Sequence, residues 1–265
     1  MQSKYVTLQT NLISSSTLIV TLNRPEVRNA INYQMMQELC TLWQQTTTDL
    51  YKNIRCIILT GSGDKAFCAG ADLKERYNLD LATWQKQHVA LEDAMLAMVD
   101  CPIPIVAAVN GAAYGGGLEL VLACDFAYAT TSATFAQSEV KLGLIPGAMG
   151  TQNLPNACGL RRAKELTFMG ESFSAQQAFE WGIINKLCEP QKLLEEVTAT
   201  AKKISENAPF AIRQAKKAIN QSRAADIQAG YKYEIKVYSQ VLSTTDRLEG
   251  IAAFNEKRPP KFTGN

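Results

Sequence analysis

The sequence predicts an α/β protein with a largely parallel sheet and a mostly helical C-terminal third. Two observations lead to this prediction. Short apolar runs alternate with amphipathic stretches through the first half of the chain, and from about Ala157 the pattern becomes helical. The 265 residues, of which 46% are hydrophobic and 20% charged, suit one large domain with a sizeable core.

The apolar runs predict six strands, and the stretches between them predict three helices. The strands are expected at Tyr5–Gln9, Leu18–Leu22, Cys56–Thr60, Ile105–Asn110, Phe126–Ala129 and Thr134–Ala136. The helices are expected at about 33–48, 81–99 and 116–124.

Glycine, proline and capping patterns define the helices of the C-terminal third. Gly170 follows a helical run and is expected to end it. Pro190 and Pro209 are each expected to open a helix, and a longer helix should then run to about residue 243. Asp246 and Glu249, three residues apart, resemble a capping box for the last helix.

Charge, cysteine usage and the N-terminus exclude several classes of protein. A formal charge of +2 argues against an obligate nucleic-acid binder. The seven cysteines include no CxxC pair, so they are interpreted as buried thiols of a reducing compartment. The start MQSKYVTLQT has no apolar segment of a signal peptide, and glycines and Glu119 interrupt the most membrane-like stretch, 103–124. We therefore expect a cytoplasmic protein that is not in a membrane.

The single histidine, His88, falls in the helix expected at 81–99. It shares a face with Trp84, Leu91 and Met95 at helical spacing. This position predicts a buried, hydrogen-bonded packing residue. With no second histidine, we expect neither a histidine-based metal site nor a Ser-His-Asp triad.

The segment AAYGGGLELVLACD places three glycines and then Glu119 between an expected strand and an expected helix. Glycine lets a backbone approach a ligand closely, and the first amides of a helix have no partner within it. This arrangement predicts an anion or oxyanion site near Glu119. The alternatives are that the glycines only permit close packing and that Glu119 only complements the helix dipole.

A second glycine-rich loop, GSGDKAFCAGADLKER, also leads from a strand towards a helix. Amides from the two loops can converge on one developing oxyanion. Glu139 follows the strand Thr134–Ala136 and is a candidate second carboxylate for acid–base catalysis. The alternative is that Glu139 is a surface residue, since its SEVK surroundings are polar.

Three segments, AFCAGADLKER, AVNGAAYGGGLELVLACD and GLIPGAMGTQNLP, resemble the signatures of the crotonase superfamily, the enoyl-CoA hydratase/isomerase fold. LNRPEVRNAIN and DRLEGIAAFNEKRPPKFTGN resemble its two ends, so the resemblance covers essentially the whole chain. It implies a ββα superhelical spiral in a core of residues 1–200 that holds the acyl-CoA site. Residues 201–265 would form a helical region that covers this site and makes contacts in a homotrimer or a hexamer of two trimers.

The resemblance also implies roles for individual residues. The amides of Ala71 and Gly116 would form an oxyanion hole for a thioester carbonyl. Glu119 would activate a water and Glu139 would protonate the α carbon, in a syn hydration of a 2-enoyl-CoA to a 3-hydroxyacyl-CoA. The implied substrate and CoA contacts are Ala71, Asp72, Leu73, Lys74, Gly116 and Arg28. No metal or separate cofactor is implied, since coenzyme A is part of the substrate.

Two departures from the family pattern put the shape of the acyl pocket in question. Met149 stands where many relatives have glycine, and Asn153 where they have arginine.

The sequence looks closest to the enoyl-CoA hydratase and methylglutaconyl-CoA hydratase branch. The expected activity is therefore that of an enoyl-CoA hydratase, with fatty acid metabolism as the expected pathway. Hydration of a branched dicarboxylic acyl-CoA and isomerisation of an enoyl-CoA are the alternatives on the same fold. The branch includes proteins that bind AU-rich RNA, which leaves RNA binding or a non-catalytic role as alternatives of another class. In a eukaryote the mitochondrial matrix would be the expected location, although the chain shows no transit peptide.

Overall fold

The computed structural model describes residues 5–207 except 47, 49, 50 and 52, residues 209–220 except 218, positions 228, 235 and 239, and residues 242–260. Within these residues, ten strands form two sheets. The strands are β1 (Leu8–Leu12), β2 (Thr17–Leu22), β3 (Cys56–Gly61), β4 (Ala66–Cys68), β5 (Ile105–Val109), β6 (Ala112–Tyr114), β7 (Phe126–Thr130), β8 (Thr134–Ala136), β9 (Phe173–Ser174) and β10 (Lys186–Cys188).

Helices follow the strands and dominate the second half of the chain. They are α1 (Tyr33–Gln45), α2 (Leu73–Arg76), α3 (Leu81–Val99), α4 (Gly116–Ala123), α5 (Gly150–Cys158), α6 (Leu160–Met169), α7 (Ala175–Glu180), α8 (Leu193–Glu206) and α9 (Thr245–Asn255). Short 3₁₀ turns occur at Pro25–Val27, Glu139–Leu142 and Pro190–Lys192, and residues 209–217 are helical. Of the described helices, none has the length and apolar character needed to cross a bilayer.

The chain winds through a repeated strand–strand–helix unit. The larger sheet has the order β1-β2-β3-β5-β7-β10, and only β1 is antiparallel to its neighbour. The strands after β3, β5 and β7 belong to the second sheet, β4-β6-β8-β9, and each pair of strands is followed by a helix. The predicted ββα spiral with helices after it is therefore confirmed.

Both faces of the larger sheet are covered, which explains why its central strands are continuous apolar runs. In β3, Ile57 and Leu59 point into the main core. Cys56 and Ile58 point to the other face, where they pack with Val197 of α8. The helical C-terminal part of the chain therefore begins as a cover for the sheet.

The first strand differs from its prediction by three residues. It was expected at Tyr5–Gln9, but pairing with β2 begins at Leu8. The amides of Val6 and Thr7 instead donate to the carboxylate of Glu38 on α1. The side chain of Glu38 thus takes the place of a neighbouring strand for these two residues. A pattern of apolar residues does not reveal such a contact.

The predicted helix ends are partly confirmed. Gly170 adopts a left-handed conformation at the end of α6, as expected for a glycine cap. The cap of α9 was predicted wrongly. Thr244 is its N-cap, accepting a hydrogen bond from the amide of Arg247 at 3.2 Å, and Asp246 lies inside the first turn. The helix predicted up to residue 243 lies mainly outside the described residues, and the division of the chain at residue 200 stays a prediction.

Candidate active site

The glycine turn between β6 and α4 adopts a backbone that only glycine accommodates easily. Gly115 has φ +52° and ψ −122°, and its amide donates to the carbonyl of Ala136 at 2.8 Å. Gly117 packs so closely on β4 that an added Cβ would lie 2.1 Å from the carbonyl oxygen of Cys68. Gly115, the N-cap residue of α4, has no side chain that could cap the helix. The packing interpretation therefore holds for Gly117, while the N-cap position itself supplies no capping group.

The amides of Ala71 and Gly116 lie in adjacent loops. Ile31 donates to the carbonyl of Gly70 at 2.7 Å and accepts from the amide of Asp72 at 2.9 Å, so Ala71 turns its own N–H away from Ile31. A Cβ added to Gly116 would lie 3.9 Å from the nitrogen of Ala71. Among the described residues, no backbone carbonyl accepts from either amide. Two donors are thus available side by side.

Glu119 lies in the first turn of α4 and is only 3% exposed. Its Oε1 accepts hydrogen bonds from the amides of Ala148 and Gly150, both at 2.8 Å. Met149 between them is left-handed, at φ +72°, which turns the amides on its two sides towards the same oxygen. A residue other than glycine in the left-handed conformation costs roughly 1–2 kcal/mol. The replacement of the family's glycine by Met149 therefore affects the backbone that holds Glu119.

Glu139 opens the 3₁₀ turn after β8 and is half-buried. Its carboxylate accepts from Nε2 of Gln137 through both oxygens, at 2.9 and 3.1 Å. A Cβ added to Gly115 would lie 3.0 Å from Oε1 of Glu139. Glu139 is therefore packed against Gly115 at the start of the glycine turn. Glu119 follows the end of the same turn, in the first turn of α4.

Two contributors to this arrangement were not expected from the sequence. Gln137 is fully buried and holds Glu139, but a glutamine two residues before a glutamate is no recognised pattern. The amides of Ala148 and Gly150 hold Glu119, yet backbone donors leave no trace in residue type. The only available signal was the cluster of small residues in PGAMGTQ.

The side chain of Asp72 is engaged within the chain. It caps α2 by accepting from the amides of Lys74 and Glu75, at 3.2 and 3.3 Å, and pairs with Nη1 of Arg24 at 2.9 Å. This fixes the loop that presents Ala71. A direct contact of Asp72 with substrate stays a prediction.

The other predicted contact residues surround the same loop. Leu73 is half-buried, whereas Lys74 and Arg28 are exposed. The carbonyl of Arg28 accepts from the amide of Ala69 at 3.0 Å, which brings its chain segment next to the loop. The chain segments that carry these two exposed cations therefore lie next to the loop that presents Ala71.

His88 is buried on the inner face of α3, as predicted. Burial, and then the charge of Arg76, lowers its pKa to about 3, so the ring is neutral at pH 7. Its Nε2 lies 3.5 Å from the carboxylate of Glu92, and this contact is not an ion pair at neutral pH.

The thiols and acidic groups show no metal-binding arrangement in the part of the chain that is described. No three His, Cys, Asp or Glu side chains there cluster as ligands. All seven cysteines are free, and five are buried. Burial raises the pKa of Cys68 to about 12, so this thiol next to the site is not a thiolate.

Asn153 lies apart from the two glutamates. It lines a groove of about 200 Å³ at the C-terminal end of α4, together with Leu122, Asp125 and Asn156. Gly116 and Glu119 are at the N-terminal end of the same helix. The two departures from the family pattern therefore affect different places: Met149 lies in the turn that holds Glu119, and Asn153 lies in the groove at the other end of α4.

Known proteins resemble the chain over almost its full length. A family model described as enoyl-CoA hydratase/isomerase matches residues 13–265. YngF of Bacillus subtilis is 44% identical over 252 residues, covering 93% of this chain and 94% of that protein. The short-chain-enoyl-CoA hydratase of Clostridium acetobutylicum is 35% identical over 240 residues, 91% of each chain. The crystal structure of an enoyl-CoA hydratase from Bacillus anthracis, 39% identical, gives a TM-score of 0.80 over 98% of this chain and all of that one. The chain therefore belongs to the enoyl-CoA hydratase/isomerase family.

Proposed function

We propose that the chain is an enoyl-CoA hydratase, a hydro-lyase that adds water reversibly and in the syn sense to a 2-enoyl-CoA. The observation that carries this proposal is that Glu119 and Glu139 border one glycine turn, next to the amides of Ala71 and Gly116. The name of the similar protein from Clostridium acetobutylicum, a short-chain-enoyl-CoA hydratase, supports it.

The two amides bind the thioester carbonyl oxygen. When water adds to C3, electrons move through C2 and negative charge develops on that oxygen. The amides of Ala71 and Gly116, with the positive end of α4 behind the latter, stabilise this charge. One such donor contributes about 3–4 kcal/mol to the transition state in other enzymes.

The two glutamates move the protons. Glu119 takes a proton from the water as its oxygen bonds to C3, and Glu139 gives a proton to C2 of the enolate. The proton held by Glu119 then returns to Glu139 through the next water, which restores the pair. Acid–base catalysis of this kind contributes about 10²–10⁴-fold.

Coenzyme A, which carries the acyl group, enters beside the loop that presents Ala71. Arg28 and Lys74 are exposed cations at this loop and suit the phosphates of coenzyme A, while Leu73 suits its apolar arm. The proposed reaction is a proton and water transfer that needs no metal or redox group, and coenzyme A comes with the substrate.

The test is hydration of crotonyl-CoA, followed by loss of the enoyl absorbance and identification of the product. The wild-type protein should form 3-hydroxybutyryl-CoA, and Glu119→Gln and Glu139→Gln should each slow this at least about a hundredfold. Glu165→Gln, an exposed carboxylate paired with Arg162, is the control and should keep the wild-type rate. Interconversion of 3- and 2-hexenoyl-CoA without hydration would instead identify an isomerase.

The proposed function includes a homotrimer or a hexamer of two trimers, in which the region 201–265 makes subunit contacts and covers the site. Large apolar side chains exposed on helical segments support such contacts, among them Phe168 (73% exposed), Phe210 and Phe254. Sedimentation equilibrium should give a multiple of three chains, and a monomer would contradict it. A cytoplasmic location is part of the same proposal.

A further inference from the structure

The side chain of Arg24 joins two parts of the chain that lie next to the paired amides. Its Nη1 donates to the carbonyl oxygen of Ala30 at 2.7 Å and to Oδ2 of Asp72 at 2.9 Å. The side chains of Arg24 and Asp72 are only 18% and 10% exposed, so water and salt screen this ion pair weakly. One guanidinium nitrogen therefore connects the segment after β2 to the loop between β4 and α2.

The carboxylate of Asp72 is engaged on both sides. Its Oδ1 accepts from the amides of Lys74 and Glu75 in the first turn of α2, whereas its Oδ2 accepts from Arg24. The position of Arg24 is fixed in turn, because its backbone amide donates to Oδ1 of buried Asn29 at 3.0 Å. The start of α2 and the guanidinium of Arg24 are thus held together by one side chain.

The peptide group between Gly70 and Ala71 supplies one of the paired amides. Its carbonyl, that of Gly70, accepts from the amide of Ile31 at 2.7 Å, and its N–H is that of Ala71. Because a trans peptide group is planar, its N–H points away from its carbonyl, and the bond from Ile31 sets the direction of the Ala71 amide. The same bond polarises the peptide group, which makes its N–H a stronger donor. Ile31 therefore determines both the direction and the strength of this donor.

The contacts of Arg24 hold the stretches of Ile31 and Ala71 against each other. Ala30, whose carbonyl Arg24 binds, directly precedes Ile31. Asp72, whose carboxylate Arg24 binds, directly follows Ala71, and the amide of Asp72 donates to the carbonyl of Ile31 at 2.9 Å. A shift of either stretch would rotate the peptide group of Ala71, and the two bonds from Arg24 oppose such a shift.

We infer that Arg24 is a positioning residue for the Ala71 amide, which it holds in the orientation that polarises a thioester carbonyl. The inference rests on the proposed function, since it takes this amide and that of Gly116 to bind the carbonyl oxygen. Arg24 acts through Ala30 and Asp72 and makes no contact with the reacting atoms. Its loss should therefore weaken binding of the transition state more than binding of the ground state.

The infrared stretch of a bound thioester carbonyl measures this orientation without turnover. The probe is butyryl-CoA with an isotope label in its carbonyl group, which is saturated and cannot be hydrated. Its carbonyl stretch should move to lower wavenumber on binding to the wild-type protein, and Arg24→Met should lose at least about half of this shift. The dissociation constant of butyryl-CoA should stay within about threefold of the wild-type value, because Arg24 does not touch the ligand.

Steady-state kinetics on crotonyl-CoA should divide in the same way. Arg24→Met should lower kcat about tenfold and change KM by less than about threefold. Arg24→Lys keeps a charged donor on a shorter side chain, so its carbonyl shift and its kcat should both lie between those of Arg24→Met and the wild-type protein.

A double variant separates orientation from stability. Arg24→Met leaves the shielded carboxylate of Asp72 without its cation, so the Tm should fall. Adding Asp72→Asn removes that charge, while an asparagine can still cap α2. The double variant should therefore regain much of the lost Tm but not the carbonyl shift, because the link from Ala30 through Arg24 is still absent.

Arg162→Met is the matched control. Arg162 on α6 also pairs with a carboxylate, that of Glu165, but α6 carries no residue of the proposed site. Its removal should leave the carbonyl shift, kcat and KM at their wild-type values.

Three results overturn the inference: a full carbonyl shift in Arg24→Met, a loss of butyryl-CoA affinity as large as the loss of kcat, or a shift that the double variant regains together with its Tm. The proposed function survives each of them if the wild-type protein hydrates crotonyl-CoA. A shift that depends on Arg24 in a protein that hydrates no enoyl-CoA would leave the inference standing and remove the hydratase. Binding of butyryl-CoA to the wild-type protein with no carbonyl shift would overturn both.

Discussion

Two buried glutamates, Glu38 and Glu119, show how similar surroundings can serve different ends. Each lies on a helix, at 6% and 3% exposure, and each accepts two backbone amides from a distant segment. For Glu38 the amides belong to Val6 and Thr7, ahead of β1. For Glu119 they belong to the turn that opens α5.

The difference is in what the two carboxylates hold and what lies beside them. On Glu38, Oε1 accepts from Val6 and from Nε2 of Gln34, while Oε2 accepts from the amide and the hydroxyl of Thr7. On Glu119, both amides donate to Oε1. The first carboxylate fastens the N-terminal segment far from the candidate site, whereas the second lies beside the glycine turn. Substitution by glutamine should therefore have opposite consequences at the two sites.

The largest expected effect separates the two glutamates by activity. Glu119→Gln removes the base and should lower kcat on crotonyl-CoA by about 10²–10⁴-fold. Glu38→Gln changes no group at the glycine turn and should keep kcat within about threefold at 25 °C. Steady-state kinetics on both variants measure this, and equal losses would remove the functional distinction between the two carboxylates.

The loss of stability in acid should come first from His88, and its effect must be measured before a smaller effect is assigned to the carboxylate of Glu38. Burial, and next the charge of Arg76, lowers the pKa of His88 from 6.5 to about 3. The unfolded chain binds the proton first, so stability is complete above pH 6.5 and falls as the pH drops towards 3, by about 1.4 kcal/mol per pH unit. Urea unfolding between pH 7.5 and 4.5 should show this slope. His88→Gln should flatten the profile, and an unchanged profile in this variant would contradict the assignment.

The two glutamine variants should rank in opposite orders by activity and by stability, because Glu38→Gln should be the more active and the less stable of the two. In Glu38→Gln an amide NH₂ faces an N–H donor whichever way it is turned, so the free energy of unfolding should fall by about 2 kcal/mol. Thermal unfolding would then show a Tm lower by about 6 °C. In Glu119→Gln the remaining carbonyl oxygen can keep both amides, and the loss should stay below about 1 kcal/mol. A larger decrease in Tm for Glu119→Gln than for Glu38→Gln would contradict the assignment of a structural role to Glu38 and a catalytic role to Glu119.

The smallest effect is the dependence of stability on Glu38 at low pH. Burial raises the pKa of Glu38, but the hydrogen bonds from Thr7, Val6 and Gln34 together outweigh it and the pKa falls below 4.5. Its stabilising contribution is therefore complete above about pH 4.5 and is lost as the pH falls through the lowered value. The loss of stability below pH 4.5 should be smaller in Glu38→Gln than in the wild-type protein, and identical profiles would argue against it.

The sequence predicted the features that residue type controls. Three glycines before an apolar helix marked the turn at Gly115–Gly117, and apolar runs marked β2, β3, β5 and β7. Of the five strands of two or three residues, β8 was predicted, whereas β4, β6, β9 and β10 were missed because so short a segment shows no periodicity. The wrong cap of α9 has a local cause, since Thr244 and Asp246 are both good capping residues two positions apart.

The parts of the site that escaped prediction depend on tertiary contacts. Gln137 and the amides around Met149 act through distance and backbone direction, neither of which a sequence pattern encodes. Residue type thus indicates where chemistry is possible, and packing decides which groups are held for it.

The central claim is that Glu119 and Glu139 act together on one substrate, and a double-variant cycle tests it most directly. The kcat for crotonyl-CoA is measured in Glu119→Gln, in Glu139→Gln and in the protein carrying both changes. Groups that act as a unit are not additive, so the double variant should be within about tenfold of the slower single variant. Losses that multiply across the two sites would mean that the glutamates act independently, and the account of a shared water would be wrong.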